Sequence, residues 1–374
     1  MRILVNAALV PEAWSADYCI VLNQLVRQLA GKKDNITFII ICDEKNAIHF
    51  YPDDRIHLIK SKTGNIPVLK WRYWYDIRIP ALLRRHKADL LLSPGLIGPQ
   101  KSHCRQLLLL ADSFFSDRPG LFSASQISFL RKKALQSVAK ATGILLWAKA
   151  DARKLAEQYP PAKGKTACLP PVYPAGKIPD IESVSANIKS IHTAGKEFFL
   201  YNGTTGNAGN LLNLLKAFSL FKKRQQSSLK LLICSIEPRE LSGLKKILDS
   251  YKYRSDVVLI EFPDNEALFA IYVAAYAFIY PVLMQNFSLP VMQALLCHIP
   301  VITSPGSILT EWAGDAVLYA DPDNPTDLAE NMMRIYKDEK LRNQLIEKGN
   351  AVINRLQKED PATAILEALQ KALS

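Results

Sequence analysis

Short apolar runs alternate with longer amphipathic segments along almost the whole chain of 374 residues. A short apolar run fits a buried parallel strand, and an amphipathic segment fits a helix that covers the sheet. Regular alternation therefore predicts α/β units with parallel sheets. The predicted strands are Ile3–Ala8, Ile36–Cys42, His57–Lys60, Asp89–Ser93, Gln106–Asp112, Gly143–Ala148, Phe198–Asn202, Lys230–Ser235, Val257–Phe262, Ala277–Tyr280, Val301–Ser304 and Val317–Ala320.

The alternation is interrupted once, by a proline-rich and polar stretch that runs from Leu169 to about Gly195. We therefore predict two domains of doubly wound, Rossmann-like architecture that face each other across a cleft. Such a cleft can hold one substrate per domain. The predicted divisions are a first domain at 1–175, a linker at 176–196, a second domain at 197–357 and a closing helix at 358–374 that packs on the first domain.

Composition and net charge limit the class of protein, the partners and the metal or disulfide sites that the sequence predicts. Hydrophobic residues at 49% and charged residues at 22% are ordinary for a globular protein, and no apolar run approaches the roughly 20 residues of a membrane span. The chain opens on a strand with no signal-peptide pattern, so we expect a cytoplasmic protein. The formal net charge of +12 indicates anionic partners, such as sugar nucleotides, acidic lipid surfaces or nucleic acid. The six cysteines are scattered singly, which predicts neither a zinc site nor a disulfide framework.

The segment from Ala277 to Ile302 carries the clearest local signal. A buried strand ends at Pro281, a loop follows, Pro290 lies where a first helical turn tolerates proline, and Pro300 stops the helix. The loop lies at the carboxyl end of a strand and the N-terminus of a helix, where parallel sheets bind ligands and where phosphate is favoured. From these features alone, an ordinary crossover without a site remains equally open.

The residues from Gln285 to Val301 align without a gap to the pattern E-G-F-G-L-P-x-x-E-A-M-A-C-G-x-P-V. This pattern is typical of family 4 glycosyltransferases, which are retaining enzymes of the GT-B fold, and the second domain resembles that family. Asn202-Gly203-Thr204 is similar to its domain-opening loop, and Thr310–Ala316 is similar to its ending. In the first domain, Ala111-Asp112 resembles the His-Asp position of the family more weakly.

The resemblance implies transfer of a hexose, with retention, from a nucleotide-sugar to a saccharide or lipid-linked acceptor in polysaccharide biosynthesis. It implies no cofactor other than the nucleotide-sugar as co-substrate, and no metal, because the leaving phosphate itself helps to accept the proton of the acceptor. The catalytic positions that it implies are Gln285 and Asp112, although Asp112 also fits a simple cap or turn. The donor-binding positions that it implies are Gly203, Thr204, Asn210, Asn286, Phe287, Ser288, Leu289 and Gln293.

Several positions depart from the family pattern. Gln285 and Gln293 replace two glutamates, and both loop glycines are absent. Ala208 and Gly209 stand where the family has an Arg and a Lys that neutralise the leaving diphosphate. Glutamine keeps an acceptor oxygen, but losing one preorganised contact to developing charge costs about 10²–10³ in rate. These changes leave an alternative open, namely a catalytically silent GT-B subunit that binds a partner transferase or a glycan.

The segment Lys70–Lys87, called here the basic aromatic segment, combines cations with tryptophan and tyrosine. The segment fits peripheral binding to the anionic inner face of a membrane. It fits an amphipathic helix with packed aromatic residues equally well. A nucleic-acid partner is not predicted, because no binding motif accompanies the segment. Asp321-Pro322-Asp323 predicts a turn rather than a metal site.

Overall fold

A computed structural model of the chain separates it into two compact units, which are described one at a time. The first unit consists of Met1–Val172 with Glu359–Ser374, and the second of Tyr173–Lys358. The residues that the structure describes are 1–8, 15–61, 68–110, 124–172, 179–203, 209–236, 238–261, 263–283 and 289–373.

The first unit is built on a parallel sheet in the order β3-β2-β1-β4-β5-β6-β7. Its strands are β1 (Arg2–Ala7), β2 (Thr37–Asp43), β3 (Ile56–Ser61), β4 (Leu90–Pro94), β5 (Arg105–Leu109), β6 (Gly143–Leu146) and β7 (Thr166–Cys168). The central strands are apolar along their length because helices cover a parallel sheet on both faces. The helices are α1 (Ser15–Lys32), α2 (Val68–Tyr73), α3 (Ile79–Arg85), α4 (Ala124–Lys140), α5 (Lys149–Gln158) and α14 (Pro361–Leu373).

The closing helix α14 belongs to the first unit. It contacts α1, β5 and β6, and Ile365 and Leu369 are buried. Lys32 at the end of α1 forms an ion pair with Asp360 and donates to Thr363 Oγ1 at 2.7 Å. The pair holds the pKa of Asp360 down at about 2, through the hydrogen bond from Lys32. The chain therefore returns to its first unit after completing the second.

The second unit repeats the architecture with a parallel sheet in the order β10-β9-β8-β11-β12-β13. Its strands are β8 (Phe198–Asn202), β9 (Lys230–Ile236), β10 (Val257–Glu261), β11 (Ala277–Tyr280), β12 (Val301–Thr303) and β13 (Leu318–Tyr319). Its helices are α6 (Ile181–Thr193), α7 (Leu211–Gln225), α8 (Pro238–Asp249), α9 (Asn265–Ala274), α10 (Leu289–Leu296), α11 (Ser307–Trp312), α12 (Pro325–Lys337) and α13 (Glu339–Leu356). No helix in the described part of either unit is long and apolar enough to cross a bilayer.

Three elements differ from the sequence-based expectation. Strand β7 was not predicted, because three residues of mixed polarity carry no periodic signal. Helix α6 occupies most of the segment predicted as a linker, and it packs on α9. Its apolar residues, such as Val184 and Ile188, recur at helical spacing, but the preceding prolines obscure that signal. Helix α1 ends at Lys32 and therefore includes Gly31, although glycine is a residue type that typically marks the end of a helix.

The basic aromatic segment divides into a buried and an exposed part. Trp74 and Tyr75 are buried, and Trp74 Nε1 donates to Asn6 Oδ1 at the end of β1 over 3.3 Å. Tyr73 and Ile77 are 55% and 57% exposed. Packing thus accounts for part of the aromatic content, and an exposed apolar pair remains among the cations.

Candidate functional site

The order of strands in the second sheet defines a crevice between β8 and β11. These strands are neighbours, with Ala277 paired to Phe199 and Phe278 paired to Leu200. From β8 the chain proceeds through α7 to β9 on one side, and from β11 through α10 to β12 on the other. The two connections leave in opposite directions, so the carboxyl ends of β8 and β11 open onto a crevice where parallel sheets bind ligands.

Gly203 follows β8 directly and lies against two tyrosine rings. A Cβ at this position would meet Tyr201 Oη at 3.1 Å and Tyr280 Cε2 at 3.2 Å, which is closer than ordinary van der Waals contact. Tyr201 comes from β8 and Tyr280 from β11, and both are buried. The glycine therefore lets the chain leave β8 close to the end of β11, as the site requires.

Asn210 lies just before α7, in the left-handed region with φ 59° and ψ 29°. It is 8% exposed. Its Nδ2 donates to the carbonyl of Pro281 at 2.9 Å and to the carbonyl of Pro322 at 2.6 Å. These two prolines follow β11 and β13, so one side chain joins three loops at the carboxyl edge of the sheet.

The connection from β11 to α10 carries the motif that the sequence singled out. Thr303 Oγ1 on β12 donates to the carbonyl of Tyr280 at 3.0 Å, which fixes the end of β11. Helix α10 begins at Leu289, and Pro290 lies in its first turn as predicted. Leu289 is buried, whereas Gln293, one turn further along, is partly exposed.

Helix α10 ends at a histidine where the family pattern has a glycine. His298 has φ 57°, which is the left-handed conformation that glycine adopts most easily. Ile299 N donates to the carbonyl of Ala294 at 3.2 Å, as in a Schellman motif. His298 Nδ1 lies 2.5 Å from Asn350 Oδ1 on α13, and this contact holds the histidine in place. The histidine that replaces the glycine of the family pattern therefore has a structural role at the end of α10.

Four of the predicted site residues lie in the part of the second unit that the structure describes. These residues are Gly203, Asn210, Leu289 and Gln293. The remaining predicted site residues lie outside the described residues, and their roles stay predictions. They are Asp112, Thr204, Gln285, Asn286, Phe287 and Ser288.

Other residues at this edge were not recognised from the sequence. Tyr201 Oη donates to the carbonyl of Gly209 at 3.1 Å, and Asn202 Nδ2 donates to Tyr272 Oη at 3.0 Å. Burial raises the pKa of Tyr272 well above its ordinary value, so its phenol stays neutral. Burial likewise raises the pKa of the Cys234 thiol at the end of β9, which makes it a packing residue rather than a nucleophile. The sequence signal for Tyr201 and Asn202 is a polar group at the end of an apolar strand.

Acidic residues at this edge are engaged in turns. Asp321 Oδ1 accepts from Asp323 N at 3.0 Å, and Asp327 Oδ2 accepts from Asp321 N at 2.7 Å. The Asp321-Pro322-Asp323 stretch thus forms a turn. Among the residues that the structure describes, no group of three or more His, Cys, Asp or Glu side chains is arranged to hold a metal ion.

Comparison with known proteins shows what the second unit is similar to. Residues 185–352 match the family model described as glycosyl transferases group 1. This stretch is therefore similar to glycosyl transferases group 1, and the predicted resemblance to glycosyltransferases is confirmed at that level. The β8–β11 crevice and α10 both lie within the matched residues.

Two curated relatives come from Escherichia coli. O-antigen chain mannosyltransferase B is 25% identical over 181 residues, which are 48% of each chain. The serotype-specific mannosyltransferase WbdA is 24% identical over 161 residues, which are 42% of this chain and 20% of WbdA. The matched part therefore spans about half the length of the first relative and about a fifth of the second.

Solved structures match over nearly the whole chain at low identity. WaaG, a glycosyltransferase involved in lipopolysaccharide biosynthesis, has a TM-score of 0.70 at 14% identity over 98% of both chains. HepE of Anabaena, in complex with UDP and glucose, has a TM-score of 0.70 at 14% identity over 99% of both chains. Sucrose-phosphate synthase of Thermosynechococcus elongatus reaches 0.73 at 16% identity, over 99% of this chain and 98% of that one. These likenesses concern the fold, and they confirm the predicted pair of Rossmann-like domains of the GT-B class.

Proposed function

We propose that this protein is a glycosyltransferase that moves a hexose from a nucleotide-sugar to a saccharide or lipid-linked acceptor, with retained anomeric configuration. One observation carries the proposal. The glycosyl transferases group 1 match at 185–352 falls on the unit in which Gly203 follows β8 directly and in which α10, the helix that carries Gln293, follows β11. The mannosyltransferase relatives support a hexose donor and an acceptor of the polysaccharide type.

Each part of the crevice has its own role in the proposed reaction. Gly203 gives the diphosphate close access to backbone next to β8, and the N-terminus of α10 favours its negative charge. Gln293 holds a hydroxyl of the nucleotide ribose through its amide. The oxygen of the acceptor bonds to the anomeric carbon as the bond from that carbon to the diphosphate breaks. The electron pair stays on the diphosphate, and a phosphate oxygen takes the proton of the acceptor, with no metal involved.

The direct test is release of nucleoside diphosphate by the purified full chain from a panel of nucleotide-sugars. We expect turnover well above background with at least one hexose donor, and loss of turnover when Gln285 or Ser288 is replaced. Binding of nucleotide without any turnover would instead favour a silent GT-B subunit. Absence of both binding and turnover would contradict the assignment altogether.

Replacing Gln293 with alanine should weaken nucleotide binding several-fold, because one hydrogen bond to the ribose contributes about 1 kcal/mol. Isothermal titration calorimetry with the nucleoside diphosphate measures the change. Gln344→Ala is a matched control, since Gln344 is an exposed glutamine on α13 of the same unit. Equal affinities of the Gln293 variant and the unaltered protein would remove Gln293 from the site.

We further propose that the first unit docks on the anionic cytoplasmic face of a membrane, where a lipid-linked acceptor is presented. Tyr73 and Ile77 form an exposed apolar pair in the basic aromatic segment, which also exposes Arg72, Arg84 and Arg85. Membrane binding gains free energy from apolar side chains that enter the headgroup region and from cations that approach anionic lipid. The two contributions add. The chemistry of this surface therefore matches an acidic bilayer.

The Ile77→Glu variant should bind phosphatidylserine-containing vesicles about tenfold more weakly, because it removes an apolar contact and adds a repelled charge. Co-sedimentation with vesicles at fixed ionic strength measures the affinity. Ile48→Glu is the matched control, since Ile48 is 76% exposed in the short helical segment Lys45–His49 of the same unit. Equal losses in both variants would show that the surface around Ile77 is not the contact.

A further inference from the structure

Asn210 occupies the N-cap position of α7 without capping it. Asparagine at this position ordinarily accepts a hydrogen bond from a backbone N–H in the first turn of the helix. Here the side chain makes no such bond, and the carbonyl of Asn210 accepts from Asn213 N at 3.1 Å instead. The side chain turns away from its own helix, toward the loops that follow β11 and β13.

Both protons of the Asn210 amide have protein partners. Its Nδ2 lies 2.9 Å from the carbonyl of Pro281 and 2.6 Å from the carbonyl of Pro322. An amide nitrogen carries two donor positions, so none remains for a ligand. Asn210 is also 8% exposed, and its left-handed backbone is tolerated by asparagine and glycine better than by other residues. These features together favour an internal tie over a ligand contact.

Asn210 joins the two loops that border the crevice, after β8 and after β11, to the turn that follows β13. Pro281 begins the connection from β11 to α10, and Pro322 lies in the turn between β13 and α12. Asn213 Nδ2 adds a bond to the carbonyl of Pro322 at 3.1 Å. Asn213 therefore shares the carbonyl of Pro322 with Asn210, so that variants of the two residues can be compared.

We propose that Asn210 is a positioning residue, which holds the loops after β8, β11 and β13 in register so that the crevice is formed before the nucleotide arrives. This inference rests on the proposed function. A loop that is ordered in advance loses less conformational entropy when ligand binds, so the tie raises affinity without touching the ligand.

Three full-length variants separate the possible roles of Asn210. Asn210→Gly keeps the left-handed backbone and removes both ties. Asn210→Asp keeps the shape but places a carboxylate oxygen against two carbonyl oxygens, which is repulsive. Asn213→Ala removes the bond to Pro322 and a long bond from Lys216 Nζ at 3.4 Å, and it leaves both bonds of Asn210 in place. Asp338→Ala removes the N-cap bond to Leu341 N on α13 and serves as a control for general destabilisation of the unit.

Hydrogen–deuterium exchange and calorimetric titration with a nucleoside diphosphate are the two readouts. We expect Asn210→Gly to raise exchange in both 279–289 and 318–326, and to weaken nucleotide binding roughly tenfold, about the loss of one hydrogen bond. Asn210→Asp should have the larger effect on both readouts. Asn213→Ala should raise exchange in 318–326 alone, and it should leave affinity near that of the Asp338 control.

Two results would overturn the inference. Weaker binding by Asn210→Gly with unchanged exchange in both segments would make Asn210 a direct ligand contact. Raised exchange with unchanged affinity would make the tie purely structural. If the unaltered protein binds no nucleotide, the proposed function itself fails and the role in donor binding fails with it, while the exchange data still decide whether Asn210 holds the loops.

Discussion

Replacing Asp256 with alanine is expected to lower the free energy of unfolding of the second unit by about 3 kcal/mol, because it leaves a buried ammonium without its counter-charge. Asp256 Oδ2 lies 3.0 Å from Lys222 Nζ, and Asp256 Oδ1 lies 2.8 Å from Lys230 Nζ. The side chain of Lys222 is 7% exposed and that of Asp256 is 19% exposed. Lys222 also donates to the carbonyls of Ser227 and Leu229, so its ammonium is held within the unit and cannot move out to water.

Chemical denaturation of the full chain, followed by fluorescence, measures the loss in the Asp256→Ala variant. Asp315→Ala is a matched control that removes an ion pair with Lys348 on the surface, where Asp315 is 84% exposed. Exposed pairs contribute little to stability, because water screens the two charges. Lys222→Met removes the buried charge and leaves Asp256 paired with Lys230, so it should cost less than Asp256→Ala. Equal losses for the Asp256 and Asp315 variants would contradict the argument.

The same cluster predicts the sign of a pH effect. Burial acts to raise the pKa of Asp256, but hydrogen bonds and charge from Lys230 and Lys222 outweigh it and lower the pKa below 3.8. A carboxyl with a lowered folded pKa stabilises the protein above its unfolded pKa, and the contribution disappears as pH falls through the folded value. Between about pH 5 and about pH 3, the unaltered protein should therefore lose more stability than Asp256→Asn.

Gly98→Ala is expected to destabilise the first unit by about 2 kcal/mol, because an added methyl group would overpack a closed pocket. A Cβ at this position would overlap Gln106 Oε1 and lie 3.7 Å from Leu108 Cδ2. Gln106 is 1% exposed, and its Nε2 donates to the carbonyl of Pro99 at 2.8 Å, so it cannot swing aside freely. Both backbone groups of Gly98 bond to Ser137 Oγ, which holds the glycine against Gln106.

Gly31→Ala is expected to raise the free energy of unfolding of the same unit, in contrast to Gly98→Ala. Nothing lies within 4 Å of a Cβ at Gly31, which is within α1, so alanine should stabilise by about 0.5–1 kcal/mol. The double variant Gly98→Ala/Gln106→Ala tests the cause, since the steric part of the Gly98 penalty should vanish once Gln106 is shortened. If the losses in free energy of unfolding caused by Gly98→Ala and by Gln106→Ala simply add in the double variant, crowding by the Gln106 side chain is not the reason.

Local patterning was sufficient for most of the fold. Each run of the second unit that was predicted as a strand, from Phe198 to Ala320, contributes a strand to the sheet, because short apolar runs are covered when helices pack on both faces of a parallel sheet. Pro290 marked the first turn of α10, because proline has no N–H to leave unpaired there. Thr166–Cys168 was missed because three residues carry no periodic signal, and Ile181–Thr193 was missed because the prolines that precede it obscure its helical spacing.

The sequence by itself predicted two parallel-sheet units and a break between them, while the phosphate-binding role of the loop before α10 stays a prediction. Those features follow from the order of residues along the chain and from the conformational limits of proline and glycine. Tertiary structure alone decided that β8 lies beside β11, that Lys222 is buried against Asp256, and that Asn210 ties Pro281 and Pro322. Each of these depends on groups distant in sequence, and their partners exist only after the strands have assembled.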